Sequence, residues 1–214
     1  MMLYSAETRW FIPERLPDEV LNWFKGGMIL DSEEVRVHEY LLFPDCESVG
    51  VKLREGRLEI KAICGPSQPI KADLGVRGHI ERWTKWSLPI DGMRTLDVAL
   101  HQSDRWMKVH KERFLRRFSA EQGRPVEVTK RQGYFPTVGC NVEVTRIEVD
   151  ADPQYWFTIG FEAFGPPSVT RRILDEALLL FFEEHGRVPG STLGEDESTG
   201  YPAWLAKLTK TSSG

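Results

Sequence analysis

Charged and polar side chains recur at every second residue in one segment after another. The sets are Ser5, Glu7 and Arg9; Arg36, His38 and Tyr40; Lys52 and Arg54; Glu59 and Lys61; Glu127, Thr129 and Arg131; Arg146, Glu148 and Asp150; Thr158, Gly160 and Glu162. Residues two apart in a strand share a face, so each set projects from one side of its strand. A surface of this composition suits one kind of chemistry. Arginine and lysine bind phosphate oxygens, arginine through a bidentate fork. Carboxylates hold Mg2+ or Mn2+, which bridges phosphates and polarises a phosphoryl oxygen or activates water. Phosphoryl transfer chiefly needs positioning and neutralisation of charge.

The elements that would position these residues are eight predicted strands, at 4–12, 35–42, 50–54, 57–63, 80–88, 125–135, 142–150 and 156–164. Their opposite faces carry apolar pairs: Val51 and Leu53, Leu58 and Ile60, Val126 and Val128, Ile147 and Val149, Ile159 and Phe161. A half-buried sheet with a solvated outer face produces this alternation. So does a closed barrel whose charges point inward and pair across the lumen while helices cover the apolar outside. Helices are predicted at 17–25, ended by Gly26 and Gly27, and at 168–185, with Ser168 as N-cap and Gly186 as terminator. A third is predicted over 95–118, with Leu96, Leu100, Trp106, Val109, Phe114 and Phe118 inward and Lys108, Lys111, Arg113, Arg116 and Arg117 on a solvated face. Such apolar helices need a sheet to cover, which favours the barrel. The fold class expected is α+β, a closed antiparallel eight-stranded β-barrel with helices packed on the outside.

Composition narrows the function. The formal charge of −4 argues against a dedicated nucleic-acid binder. The sequence has no run of about 18 apolar residues and its first ten positions are interrupted by Ser5, Glu7 and Arg9, so neither a membrane span nor a signal peptide is expected, and the location expected is cytoplasmic. Cys46, Cys64 and Cys140 are scattered and form no CxxC, and the five histidines form no HExxH, which argues against a disulfide framework or a zinc site. There is no GxxxxGK[ST], GxGxxG or GxSxG.

With these residues in place, the sequence resembles the CYTH superfamily, the triphosphate tunnel metalloenzymes, and most closely its thiamine triphosphatase-like branch. SAETRWF resembles the family's ExExK strand, and VGVKLREGRLEIK its LRxR turn and lysine-bearing strand. VEVTKRQGYF resembles the branch's VTKR-aromatic strand, RIEVDADPQYWFTIGFEAF its RxDxD strand and following hairpin, and GYPAWL its closing helix. The resemblance implies a tunnel domain over 1–189, a flexible linker at 190–200, and a short helix and tail at 201–214 belonging to the same domain. It implies phosphate contacts from Arg9, Lys52, Arg54, Lys61, Arg131 and Arg146, metal ligation of Mg2+ or Mn2+ by Glu7, Glu148, Asp150 and Glu162, and catalysis through Glu7, Glu148 and Glu162. Ser5 stands where the family's first glutamate belongs, Gly160 where one of its last two belongs, and Lys52 replaces an arginine. These departures thin the metal side more than the phosphate side. Two functions stay open: a metal-dependent phosphohydrolase acting on an organic or inorganic triphosphate, and a non-catalytic module that binds polyphosphate or a phosphorylated metabolite. A plain β-rich interaction protein with solvated charges is the third reading. The partners expected are a triphosphate-containing small molecule or inorganic polyphosphate, with no nucleic acid and no membrane.

Overall fold

In the computed structural model, which describes residues 2–28, 35–70, 75–90, 105–128, 135–150 and 152–211, the alternating segments pair as antiparallel strands. They are β1 (Met2–Ile12), β2 (Arg36–Leu41), β3 (Val49–Arg54), β4 (Arg57–Ile63), β5 (Gln68–Pro69), β6 (His79–Pro89), β7 (Trp106–Ser119), β8 (Val126–Val128), β9 (Gly139–Val149) and β10 (Asp152–Phe164). Helices α1 (Asp18–Lys25), α2 (Pro167–His185) and α3 (Tyr201–Thr211) accompany them. Hydrogen-bonded neighbours run β1, β10, β9, β7, β2, β3, β4 and β6, and β6 returns to β1, so eight strands form a closed ring. β1 serves both sides of the seam: Met2 to Glu7 lies against β6 and Ser5 to Ile12 against β10. The class is α+β, as expected. No helix among the described residues is long and apolar enough to cross a membrane.

Helices α1 and α2 cover one side of the outer wall. In α1, Asp18 and Glu19 sit in the first turn and Lys25 in the last, matching the helix dipole. Gly26, at φ 55°, ends it, its N–H donating to the carbonyls of Asn22 and Trp23. Helix α2 starts at Pro167, so Ser168 lies within the first turn and not at the cap, which Pro166 occupies. Its stripe of Ile173, Leu174, Ala177, Leu178, Phe181 and Phe182 packs with Val20 and Phe24 of α1 onto Ala6, Trp10, Val142, Val144, Ile159 and Phe161. Fully burying one such side chain contributes about 2–3 kcal/mol. Arg116, 3% exposed, ties this layer together. It pairs with Glu127, donates to the Phe24 carbonyl at 3.0 Å, and lies 2.6 Å from His185 Nε2.

Helix α3 closes one end of the ring. Trp204 and Leu205 meet Phe11, Tyr40, Val109, Ile147 and Val149, inward-facing residues of four different strands. Trp204 stacks on Phe11 with centroids 4.6 Å apart, and Tyr201 stacks on Tyr40 at 5.5 Å. The preceding segment is anchored to β1, with Phe11 N–H donating to the Glu197 carbonyl and Thr199 N–H to that of Arg9.

Two sequence expectations are corrected. Residues 106–118 are not helical: Trp106–Ser119 is a 14-residue strand, paired with β2 on one side and β9 on the other, and the 95–104 portion lies outside the described residues. This strand takes the place in the ring expected for 125–135. Of that segment only Val126–Val128 is a described strand, attached to β7 outside the ring, while Arg131 lies outside the described residues.

Candidate functional site

The register fixes which side chains look inward. Glu7 lies opposite Glu162 on β10 and Glu81 on β6, and Gly160 lies between Arg9 and Glu143. Arg36 pairs with Lys111, Lys52 with Tyr40 and Glu59, and Lys61 with Lys85. Apart from Gly160, these residues line a cavity of about 190 Å3, together with His38, Arg54, Arg113, Thr145 and the first residues of α3. Lysines and arginines outnumber glutamates on its wall.

Several of the glutamates are already claimed by cations. Glu143, with 9% of its side chain exposed, accepts from Arg9 at 2.6 Å and from Arg113 at 3.2 Å. Burial pushes its carboxyl pKa up, but the two guanidiniums outweigh that and bring it down to about 2. Glu59 lies 3.0 Å from Lys52 and 3.4 Å from Lys85. Its pKa also falls to about 2, these ammonium groups overcoming burial. Glu7 holds Lys61 and accepts from the Ser5 hydroxyl at 2.5 Å, so despite burial its pKa lies below the ordinary range. Glu162 and Glu81 lie beside that charge, and burial and Glu7 together push both of their pKa values up.

The cations toward β2, β3 and β7 crowd together: Lys52 and Arg113 lean on Glu59 and Glu143, Arg36 and Arg54 reach the exposed Glu55 at 3.4 and 3.6 Å, and Lys111 faces the rings of Tyr40 and Tyr201. Lys111 is buried, donates to the Tyr40 hydroxyl at 2.7 Å and lies 3.3 Å from the centre of the Tyr201 ring. Burial first, then Lys52 and Arg9, force its pKa well below the ordinary lysine value. Lys52 falls to about 8, burial outweighing Glu59. Among them His38 is 7% exposed, and neither of its ring nitrogens has a hydrogen-bond partner among the described residues. Burial and the charges of Lys111, Lys52, Arg54 and Arg113 keep this ring neutral, its pKa far below the ordinary value.

Of the sequence-predicted site residues, the structure brings Glu7, Arg9, Lys52, Arg54, Lys61 and Glu162 to the lumen. It places Arg146, Glu148 and Asp150 elsewhere. Their parity on β9 is the outward one: Arg146 pairs with Glu112 at 2.6 Å, Glu148 is exposed, and Asp150, just past β9, bonds His110 at 2.7 Å. The inward residues of β9 are Glu143 and Thr145, which the Val142-Glu143-Val144-Thr145 alternation signals. Lys111 and Arg113 escape the sequence pattern because their segment reads as a helix, and Glu81 and Lys85 because both faces of β6 mix polar with apolar residues.

Two of the positions at which the sequence departs from the motifs it resembles have local explanations. A Cβ on Gly160 would meet Arg9 Cζ at 2.7 Å, so the guanidinium that crosses β10 to reach Glu143 fills the space a glutamate would need. Ser5 serves Glu7 as a hydrogen-bond donor. The proposed metal set, Glu7, Glu148, Asp150 and Glu162, is split between lumen and exterior. Among the described residues no three histidine, cysteine, aspartate or glutamate side chains are gathered so as to hold a metal ion. The residues present therefore do not fit the implied Mg2+ or Mn2+, and no chemical step is derived through it.

No protein-family model and no curated protein matches the sequence. Among solved structures the chain is similar to the PH1819 protein of Pyrococcus horikoshii OT3, at 12% identity over 97% of this chain and 99% of that one, with a TM-score of 0.41. It is also similar to the PH1012 protein of the same organism, at 12% identity over 95% and 98% of the two chains, with a TM-score of 0.43. The architecture described above stands on this chain's own strand pairing.

Proposed function

We propose that the barrel lumen binds a polyanion, a triphosphate of organic or inorganic kind, through the cations of β2, β3 and β7. The observation that carries this reading is His38, a buried ring with two unpartnered nitrogens set among Lys52, Arg54, Lys111 and Arg113. Gathering like charges inside a closed wall costs free energy that a polyanion offsets. Arginine forks and lysine ammonium groups are the groups that bind phosphate oxygens. Arg36, Arg54 and Lys111 would make the first contacts. Arg9, Arg113, Lys52 and Lys61 would contribute after partial release from Glu143, Glu59 and Glu7. The resemblance to triphosphate tunnel proteins supports the same reading on β1, β3, β4 and β10, where the motif residues face the lumen. Binding is favoured over hydrolysis because the carboxylates left to the lumen are largely engaged by its own cations.

The test is thermal unfolding with inorganic tripolyphosphate, with and without Mg2+ or Mn2+, followed by phosphate release on the same samples. A ligand at a hundredfold excess over Kd stabilises by about 2.7 kcal/mol, roughly 5–10 °C for a chain of this size. That shift without metal supports the binding module, and metal-dependent phosphate release would extend the function to a hydrolase. No shift with any polyphosphate, against a sulfate control of equal ionic strength, overturns the proposal.

A further inference from the structure

His38 presents a chemical mismatch that the proposed ligand would resolve in a specific way. A buried polar group left unpaired costs about 1–3 kcal/mol, and native interiors rarely leave both nitrogens of a ring so. From its own strand β2 the ring faces Tyr40, with ring centroids 6.2 Å apart, and Arg36. Lys52 and Arg54 face it from β3, and Lys111 and Arg113 from β7. The lumen carboxylates of the neighbouring strands, Glu59 on β4 and Glu143 on β9, are each engaged by two cations. With no anion present, burial first and then the surrounding positive charge oppose a proton on the ring.

A neutral imidazole offers one N–H donor and one lone-pair acceptor. An ionised phosphate oxygen only accepts. Oxygens reaching both nitrogens therefore leave one of them without its complement unless that nitrogen gains a proton. The negative charge of the ligand, paired directly with the ring, offsets both the burial and the repulsion that kept the proton away.

We infer that His38 binds the polyanion as an imidazolium, taking up one proton from solvent as the ligand enters, so that affinity rises as pH falls. The inference rests on the lumen being the polyanion site. The new bond is an N–H bond on the ring, and its proton comes from water or buffer, with no other bond broken. By linkage, Kd weakens as pH rises, approaching tenfold per pH unit where the bound ring is protonated and the free ring is not. Lys111, Lys52, Glu81 and Glu162 line the same cavity and can also take up a proton, and His79 lines it as well, so variants at position 38 must decide the assignment.

The probe is trimetaphosphate, which stays fully ionised across the range used and neither gives nor takes protons. Titration calorimetry on the intact chain at about pH 6.5, in two buffers of different ionisation enthalpy, reads the proton count directly, and Kd is followed from about pH 5.5 to 7.5. The expected result is uptake of close to one proton in the wild type and a fall in affinity of roughly fiftyfold to a hundredfold over the range. His38→Gln and His38→Asn, first checked for an unchanged melting transition without ligand, are expected to bind with little proton uptake and a nearly flat pH profile. Measurable binding with negligible proton uptake, or with uptake unchanged in both variants, overturns the inference and leaves polyanion binding standing. No binding of trimetaphosphate or tripolyphosphate at any pH overturns both.

Discussion

Replacing Glu143 with glutamine removes one negative charge from the lumen wall while keeping the shape of the side chain. The carboxylate it removes sits 2.6 Å from Arg9 and 3.2 Å from Arg113, with 9% of its side chain exposed. Its pKa drops from the ordinary 4.5 to about 2, which at about 1.4 kcal/mol per pH unit corresponds to about 3 kcal/mol of native-state stability. Because the folded value is the lower one, that stability is fully present above the ordinary value and is lost as pH falls toward 2. Glu143→Gln is therefore expected to lower unfolding free energy by about 3 kcal/mol at neutral pH. The gap to wild type should shrink by about two fifths by pH 3.5, where the carboxyl of the unfolded wild-type chain is mostly protonated. Urea unfolding across this range measures it. The same variant releases two guanidiniums into the lumen, so tripolyphosphate should bind more tightly to the less stable protein. A stability gap under about 1 kcal/mol at neutral pH, or one that stays flat down to pH 3.5, would refute the ion-pair reasoning.

Glu162→Gln should act in the opposite sense. Burial and Glu7 raise the Glu162 pKa, so its ionisation costs stability as pH rises through the folded value. The variant should be more stable than wild type in urea at about pH 8 and indistinguishable from it below the ordinary carboxylate range. Trp204→Ala removes a side chain 2% exposed that stacks on Phe11 across the closed end of the barrel, and should cost about 3–5 kcal/mol in the same assay.

Where the sequence is legible, a strand keeps an apolar outward face beside its inward charges. Arg9, Lys52, Lys61 and Glu162 show in their two-residue spacing because, Thr8 excepted, the outward positions near them are apolar: Ala6 and Trp10 on β1, Val51 and Leu53 on β3, Leu58 and Ile60 on β4, Ile159 and Phe161 on β10. The pattern fails on β7 and β9 for one physical reason. At the end closed by α3 the inward face is apolar, with Val109, Ile147 and Val149 meeting Trp204, whereas beneath α2 the outward face is apolar, with Phe114, Phe118, Val142 and Val144. The apolar positions thus change sides partway along each strand. On β7 the switch from Val109 to Phe114 imitates helical spacing. On β9 it makes Arg146 and Glu148 look like lumen residues. The cause lies in α3, a helix docked from the far end of the chain, which no local window contains.

That helix also sets how a long ligand could be handled. Tyr201, Trp204 and Leu205 form a floor that continues the backbone anchored to β1, and the lumen at that end is a cul-de-sac. A linear polyphosphate cannot be threaded through it like a bead on a string. Under the proposed function, such a chain would meet the lumen cations from the other end, one terminus first. The barrel would therefore count chain ends in solution and not phosphate mass: a given weight of polymer cut into shorter pieces would offer it proportionately more to bind.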